Sequence, residues 1–138
     1  MPDDSLGVLH ERWRALCLEL PGAFEDFPFG EGSAVFKIAG RDRAKAKMFG
    51  LLMERDGQLL LNLKCEPAIA DQLRNEYEQI IPGYHMSKKH WNSLLPGLET
   101  EHVRELIEDS YDLVIEGMPR RDQEFVRFQT KISGESLD

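Results

Sequence analysis

The chain has 138 residues and a mass of 15.9 kDa, enough for one compact domain. Charged residues make up 30% and hydrophobic residues 41%, a balance that excludes wholesale disorder. No apolar run approaches the ~18 residues of a membrane span, and the N-terminal Met-Pro-Asp-Asp lacks the pattern of a secretion signal. We therefore expect a cytoplasmic protein in which Cys17 and Cys65 are free thiols.

The formal net charge is −8, from 17 Lys and Arg against 25 Asp and Glu. Such an excess of acid opposes nucleic-acid and anionic-membrane partners, because long-range repulsion slows and weakens the encounter. The charge is distributed unevenly. Residues 1–31 hold 2 bases and 7 acids, residues 32–92 hold 10 and 7, and residues 93–138 hold 5 and 11. Only the middle part is positive, so an anionic partner is expected to bind there.

The N-terminal half predicts one helix and three strands. Apolar residues at spacings of three and four predict a first helix that Pro21-Gly22 ends, with Asp3, Asp4 and Ser5 as capping candidates. The apolar set is Leu6, Leu9, Trp13, Leu16, Cys17 and Leu20. After a turn-rich stretch, residues 34–39, 47–53 and 58–65 are predicted strands, and Asp56-Gly57 predicts a hairpin between the last two.

The C-terminal half predicts two helices and a short strand. Pro67 begins a second helix that ends before Pro82-Gly83, and residues 91–95 form a short strand. Thr100 is expected to cap a third helix, which Gly117 and Pro119 end. Residues 122–138 form a C-terminal extension that we expect to be partly flexible.

These elements predict a two-layer α+β domain over residues 1–121, with a small antiparallel sheet flanked by about three helices. Alternation along the third strand places Leu59, Leu61, Leu63 and Cys65 on the face under the helices. Leu60, Asn62 and Lys64 fall on the other face. A sheet face open to water displays such a mixed set, and a partner is expected to bind there.

Catalytic, cofactor and metal sites are not predicted. The four histidines and two cysteines have no ligand spacing, and no Gly-rich phosphate loop is present. Cys65 with His85 or His90 is a conceivable nucleophile–base pair, but a small buried hydrophobe at the end of an apolar stripe is the simpler interpretation. We therefore expect a protein that is not an enzyme.

Two basic segments interrupt the acidic background. Residues 84–92 hold two aromatics, two lysines, two histidines, an amide and no acid, a mixture typical of nucleic-acid contacts. Residues 37–47 hold five bases against one acid, and between neighbouring strands they would form a projecting basic hairpin. The alternative is that both segments are solvated loops with Trp91 and Tyr84 in the core.

Several strings resemble the MmcQ/YjbR family over roughly residues 6 to 120. The most specific is Pro-Gly-Tyr-His-Met-Ser-Lys-Lys-His-Trp-Asn at residues 82–92, and others are Leu-Pro-Gly-Ala-Phe-Glu-Asp-Phe-Pro-Phe-Gly at residues 20–30 and Leu-Asn-Leu-Lys-Cys at residues 61–65. The segment 41–46 departs from the family as an enlarged link between two strands. The tail beyond Arg121 also runs longer than the shared core.

The resemblance implies a YjbR-like, secretion-chaperone-like α+β fold and a DNA-binding role without catalysis, through a winged arrangement with a basic surface. Carried over by position, it implies a contact surface made of Lys37, Lys64, His85, Lys88, Lys89, His90, Trp91 and Asn92. We predict weak, salt-sensitive DNA binding by this surface. The alternative is a protein- or peptide-interaction module, as a homodimer or with another protein, that uses the open sheet face or an edge strand. We predict neither a cofactor nor a membrane partner.

Overall fold

The computed structural model describes residues 2–84 and 86–136 of the chain, and the side chains of residues 6–84 and 86–129. The described part contains four α-helices and six strands. In chain order they are α1 (Pro2–Leu18), β1 (Phe24–Asp26), β2 (Ser33–Ile38), β3 (Lys47–Arg55), β4 (Gln58–Lys64), α2 (Pro67–Glu76), β5 (Ile80–Pro82), β6 (Trp91–Leu94), α3 (Thr100–Glu116) and α4 (Arg120–Ser136). This is the predicted α+β class.

All six strands form one antiparallel sheet in the order β1-β2-β3-β4-β6-β5. The hairpin between β3 and β4 turns at Asp56 and Gly57, whose φ angles of 53° and 76° are the positive values that a type I′ turn requires. Asp-Gly is a favoured pair for such a turn, so the sequence prediction at this position is confirmed.

One face of the sheet carries the main hydrophobic core, and the helices pack on it. The predicted alternation along β4 is confirmed, because Leu59, Leu61 and Leu63 are buried there. Trp13 of α1, Ile107 of α3 and Val126 of α4 complete the same cluster. We call this side of the sheet the helix side and the opposite side the open face.

A β-bulge in β3 adds an aromatic ring to the helix side. Phe36 pairs with Gly50 and Lys37 with Met48, so Phe49 is the extra residue between the two pairs. The Phe49 ring lies edge-on to Tyr111 of α3, with centroids 5.4 Å apart. The Tyr111 hydroxyl donates a hydrogen bond of 2.5 Å to the Pro21 carbonyl, and burial raises the pKa of Tyr111 to about 12.

Three elements were not predicted. β1 and β5 have three residues each and pair at the two edges of the sheet. α4 occupies most of the predicted C-terminal extension, and Val126 is only 2% exposed, so part of this extension packs into the domain. The cap of α3 is also one residue earlier than predicted: Glu99 is the N-cap, and Thr100 is the first helical residue.

Candidate nucleic-acid interface

One end of the sheet collects strand ends from the positive middle of the chain. β2 and β4 end there, whereas β3 and β6 begin there, because neighbouring strands are antiparallel. The loop of residues 39–46 joins β2 to β3, and the loop of residues 83–90 joins β5 to β6. The basic residues of both loops therefore lie at this end, although 36 residues separate the two loops in sequence.

Three of the predicted contact residues lie in one row across the open face at this end. Lys64 pairs directly with Trp91 on the neighbouring strand, and Lys37 lies two strands away on β2. A strand spacing of about 4.8 Å puts Lys64 about 5 Å from Trp91 and about 10 Å from Lys37. We call Lys37, Lys64 and Trp91 the basic row.

The loop of residues 39–46 folds back against the domain. Arg43 lies over the Phe24 ring, 3.7 Å from its centroid, and Asp42 caps a short 3-10 helix by accepting the Ala44 amide. On the other side, Asp122 of α4 accepts the Arg41 amide at 3.0 Å. The pairing of β2 with β3 is as predicted, but the prediction of a projecting hairpin is wrong, because contacts with β1 and α4 hold the loop down.

Lys37 is partly neutralised within the basic row. Its ammonium group lies 2.9 Å from a carboxylate oxygen of Asp26 on β1. This hydrogen bond, followed by one from the Phe27 amide, holds the pKa of Asp26 below its ordinary value. Among the described strand residues, Asp26 is the only acid whose register places it on the open face.

Tyr84, in the loop that follows β5, covers the centre of the open face. The Tyr84 amide donates to the Ser93 hydroxyl on β6, and the Tyr84 ring lies under the Arg55 guanidinium of β3, 4.6 Å from the centroid. Because β4 lies between β6 and β3, Tyr84 crosses above it. Leu60 and Asn62 of β4 are consequently only 6% and 0% exposed.

A buried polar chain fixes this covering. The Ser93 hydroxyl donates a hydrogen bond of 2.5 Å to the side-chain oxygen of Asn62. The Asn62 side-chain amide in turn donates a hydrogen bond of 3.2 Å to the Leu51 carbonyl. The prediction that Leu60 and Asn62 are displayed to water is therefore wrong. Lys64 at the strand end remains half-exposed, so the exposed part of the open face is concentrated around the basic row.

The turn at residues 87–90 is held by α2. The Arg74 guanidinium donates a hydrogen bond of 2.7 Å to the Lys88 carbonyl and one of 3.1 Å to the Asn92 side-chain oxygen. The His90 carbonyl accepts the Cys65 amide, which continues the pairing of β4 with β6. Lys88, Lys89 and His90 are exposed on this anchored turn.

Asn92 is not a surface residue, contrary to the prediction. It is 2% exposed and lies on the helix side, where its amide group donates to the Ala70 carbonyl of α2 at 3.4 Å. Alternation explains this placement, because Asn92 follows Trp91 in the strand and neighbouring side chains point to opposite faces. His85 lies outside the described residues.

Lys64 is positioned through its backbone by Ser110 of α3. The Ser110 hydroxyl accepts a hydrogen bond of 2.8 Å from the Lys64 backbone amide and donates one of 2.6 Å to the Phe49 carbonyl. It thus bridges β4 and β3 just beyond Gly50 and Leu63, where their pairing ends. Ser110 and Arg74 were not predicted as site residues. Ser110 bonds to two backbone groups, and Arg74 bonds to a backbone carbonyl and to the buried Asn92 side chain, contacts that no sequence motif identifies.

An acidic groove lies on the helix side of the same sheet end. It has a volume of about 280 Å³, and its charged residues come from the turn before α2 and from α3. Desolvation first, and then the nearby charges of Asp109 and Glu116, raise the pKa of Asp112. The residues around the groove are Cys65, Glu66, Ile69, Asp109, Asp112, Leu113 and Glu116. Asp109, Asp112 and Glu116 of α3 therefore lie at the same end of the sheet as the basic row but on the opposite face.

The two cysteines are free, with Cys17 buried and Cys65 half-buried. Burial raises the pKa of both thiols, which disfavours the thiolate that a nucleophile needs. Within residues 2–84 and 86–136, no three His, Cys, Asp or Glu side chains are placed to hold a metal ion. The helices described there are all too short or too polar to cross a membrane.

The fold and the site define a class: an antiparallel sheet with helices on one side and a basic row at one end of its open face. The YjbR family model matches residues 18–113, and the chain belongs to this family. The resemblance found in the sequence is thereby confirmed.

Related sequences and solved structures support the same family assignment. The uncharacterized protein YbdF of Escherichia coli O157:H7 is 44% identical over 121 residues, which cover 86% of this chain and 94% of YbdF. The uncharacterized protein YyaQ of Bacillus subtilis is 41% identical over 85 residues, which cover 53% of this chain and 71% of YyaQ. Among solved structures, the crystal structure of Deinococcus radiodurans protein DR2400, a DUF419 domain, superimposes on this chain with a TM-score of 0.72. The two sequences are 35% identical, and the match covers 80% of this chain and 82% of the DR2400 chain.

Proposed function

We propose that this protein binds DNA without catalysing a reaction on it, through the basic row and the exposed turn at residues 87–90. The observation that carries the proposal is the convergence of Lys37, Lys64 and Trp91 from three separate strands. They share a sheet face on which Asp26 is the one strand acid in the described part of the chain.

Phosphate contact is the chemistry that this arrangement favours. Ammonium groups of Lys64, Lys88 and Lys89 attract phosphate oxygens as point charges, and the Trp91 ring beside Lys64 offers a stacking surface. With three or four phosphates engaged, log K against log salt concentration should fall with a slope of about −3. The net charge of −8 keeps the affinity weak, with a Kd of ~10⁻⁴–10⁻⁶ M.

A titration with matched charge variants tests the proposal. Labelled DNA is titrated at several salt concentrations with the native protein, with Lys88→Glu/Lys89→Glu and with the control Arg12→Glu/Arg121→Glu. All four residues are exposed, and both double variants change the net charge equally, but Arg12 and Arg121 lie on α1 and α4. We expect about a tenfold or larger loss and a shallower salt slope for the lysine variant only.

Two outcomes contradict the proposal. If the native protein does not bind DNA at low salt, the DNA-binding role is wrong. If both double variants lose affinity equally, the long-range charge of the whole molecule explains the binding, and the turn at residues 87–90 is not part of a contact surface.

Self-association through β1 is the second candidate function. β1 is an edge strand, and Phe27 and Phe29 directly after it are 50% and 71% exposed. Exposed aromatics beside an unpaired edge favour docking of another strand. Sedimentation at high concentration tests this candidate: a dimer that Phe27→Ser/Phe29→Ser dissociates supports it, and a monomer contradicts it.

A further inference from the structure

We infer that the DNA bound by the basic row is single-stranded, with an unpaired base stacked on Trp91. The inference rests on the proposed function and names the form of DNA that the geometry of the site accepts. Three features support it: the width of the sheet, the alignment of the residues of the basic row, and the absence or presence of a guanidinium over each nearby aromatic ring.

The shape of the open face does not fit the grooves of a duplex. Six strands at about 4.8 Å spacing make a surface about 24 Å wide, whereas the major groove is about 12 Å wide. The described helices pack on the opposite side of the sheet or at its edge, so no helix projects from the open face. The loop of residues 39–46 is held back by Phe24 and Asp122 and does not act as a wing.

A duplex would therefore meet this surface through its phosphates alone, because its base edges lie inside the grooves. A single strand presents both its phosphates and the flat faces of its bases to the same surface. Proteins that bind single strands use cationic grooves along the backbone and aromatic rings for the bases. The basic row combines these two features within neighbouring strands.

The groups of the basic row form a line across the strands. Lys37, Lys64 and Trp91 follow one another over β2, β4 and β6, a span of about 15 Å. A nucleic-acid strand laid perpendicular to the β-strands would meet the two ammonium groups and then the indole ring. Arg43, stacked on Phe24 of β1, extends the same line at its far end.

Three aromatic residues on the open face, Phe24, Tyr84 and Trp91, differ in what covers their rings. Phe24 and Tyr84 each carry an arginine guanidinium on a ring face, at 3.7 Å and 4.6 Å from the centroid. Trp91 is half-exposed, and its backbone is fixed by close packing: a Cβ atom at Gly83 would lie 2.8 Å from the Trp91 Cβ. We therefore assign the stacking role to Trp91.

Intrinsic fluorescence reports this stacking directly. The chain contains two tryptophans, and Trp13 lies in the helix-side core at 1% exposure, so a bound base reaches only Trp91. The test is a titration of the native protein at low salt with two DNAs. One is oligothymidylate of about 16 nucleotides, the upper end of the lengths that known single-strand-binding folds cover, and the other is a duplex of about 16 base pairs. The same titrations are made with Trp91→Leu and Trp91→Phe.

The inference predicts tighter binding of oligothymidylate than of the duplex, with quenching of Trp91 emission. Trp91→Leu should lower the affinity for oligothymidylate about tenfold or more, because one stacked base is lost. Trp91→Phe should retain most of the affinity without the quenching. Thermal melting of both variants distinguishes a lost contact from a lost fold.

The outcomes separate the inference from the proposed function. Equal or tighter binding of the duplex, with no quenching by oligothymidylate, overturns the single-strand inference while leaving DNA binding intact. A folded Trp91→Leu that binds oligothymidylate as the native protein does overturns the stacking role. Binding of neither DNA at low salt overturns the proposed function and the inference together.

Discussion

The two faces of the sheet are both largely buried, but by different means. On the helix side, α1, α3 and α4 cover apolar residues such as Leu61 and Phe49 with apolar partners. On the open face, Tyr84 and a chain of side-chain hydrogen bonds through Ser93 and Asn62 cover the central strands. The first arrangement buries apolar side chains, and the second leaves the end of the sheet partly exposed around the basic row.

The largest expected effect is on the stability of the helix side. Leu61→Ala should lower the free energy of unfolding by about 3–5 kcal/mol, because Leu61 is fully buried among side chains that relax only partly. Leu60→Ala is the matched variant on the open face. We expect it to cost about 2 kcal/mol, since the Tyr84 side chain can move into part of the space.

Chemical denaturation of both variants measures the difference. Equal losses would mean that the open face is packed as rigidly as the helix side. The proposed contrast between the two faces would then be wrong.

Two buried serines provide a second comparison. Ser110→Ala removes the bridge between Lys64 and Phe49 on the helix side, and Ser93→Ala removes the bridge between Tyr84 and Asn62 on the open face. Each substitution leaves a buried donor and acceptor without a partner and should cost about 1–3 kcal/mol. Hydrogen exchange should locate the change, at β3 and β4 for Ser110→Ala and at residues 83–90 for Ser93→Ala.

Ser87→Ala is the control for this pair, because Ser87 is exposed on the loop, and it should change stability by less than about 0.5 kcal/mol. If Ser93→Ala leaves exchange in residues 83–90 unaltered, the hydrogen bond to Ser93 does not hold the loop over the sheet.

A smaller effect is expected at the ion pair of the basic row. Asp26→Asn removes the carboxylate that lies 2.9 Å from the Lys37 ammonium group. Lys37 then becomes available to a phosphate, and DNA affinity should rise about two- to fivefold. Glu105→Gln, at an exposed position of α3, makes the same change in net charge and should have little effect. Equal gains for both variants would exclude a specific role for Asp26.

The smallest effect concerns pH. The folded pKa of Asp26 is below its ordinary value, so the ion pair contributes stability above the ordinary pKa of about 3.9. This contribution is lost as the pH falls through the lowered folded pKa. The melting temperatures of the native protein and Asp26→Asn should therefore differ slightly near pH 6 and converge in stronger acid. A difference that persists there would assign the effect to another cause.

The helix side was predictable because it follows local rules. The period-two pattern of Leu59, Leu61 and Leu63 and the turn pair Asp56-Gly57 each determine structure within a few residues. β1 and β5 were missed because three residues are too few for a periodic signal, and they become strands only by pairing at the sheet edges. α4 was missed because its apolar residues are sparse in a charged segment.

The candidate site was predictable only in part. Composition and resemblance identified Lys64 and Trp91, which the register then places opposite each other. The burial of Asn62 depends on Tyr84, more than 20 positions later in the chain. The ion pair of Lys37 with Asp26 likewise depends on the edge strand β1. Such long-range contacts leave no local pattern in the sequence.

Mapping the contact surface by NMR tests the central claim most directly. Amide shifts of the ¹⁵N-labelled protein are followed while oligothymidylate is added at low salt. The largest changes are predicted at Lys37, Lys64, Trp91 and residues 87–90, with little change along the exposed side of α3. Changes confined to the helices, or to the edge beside β1, would contradict binding by the basic row.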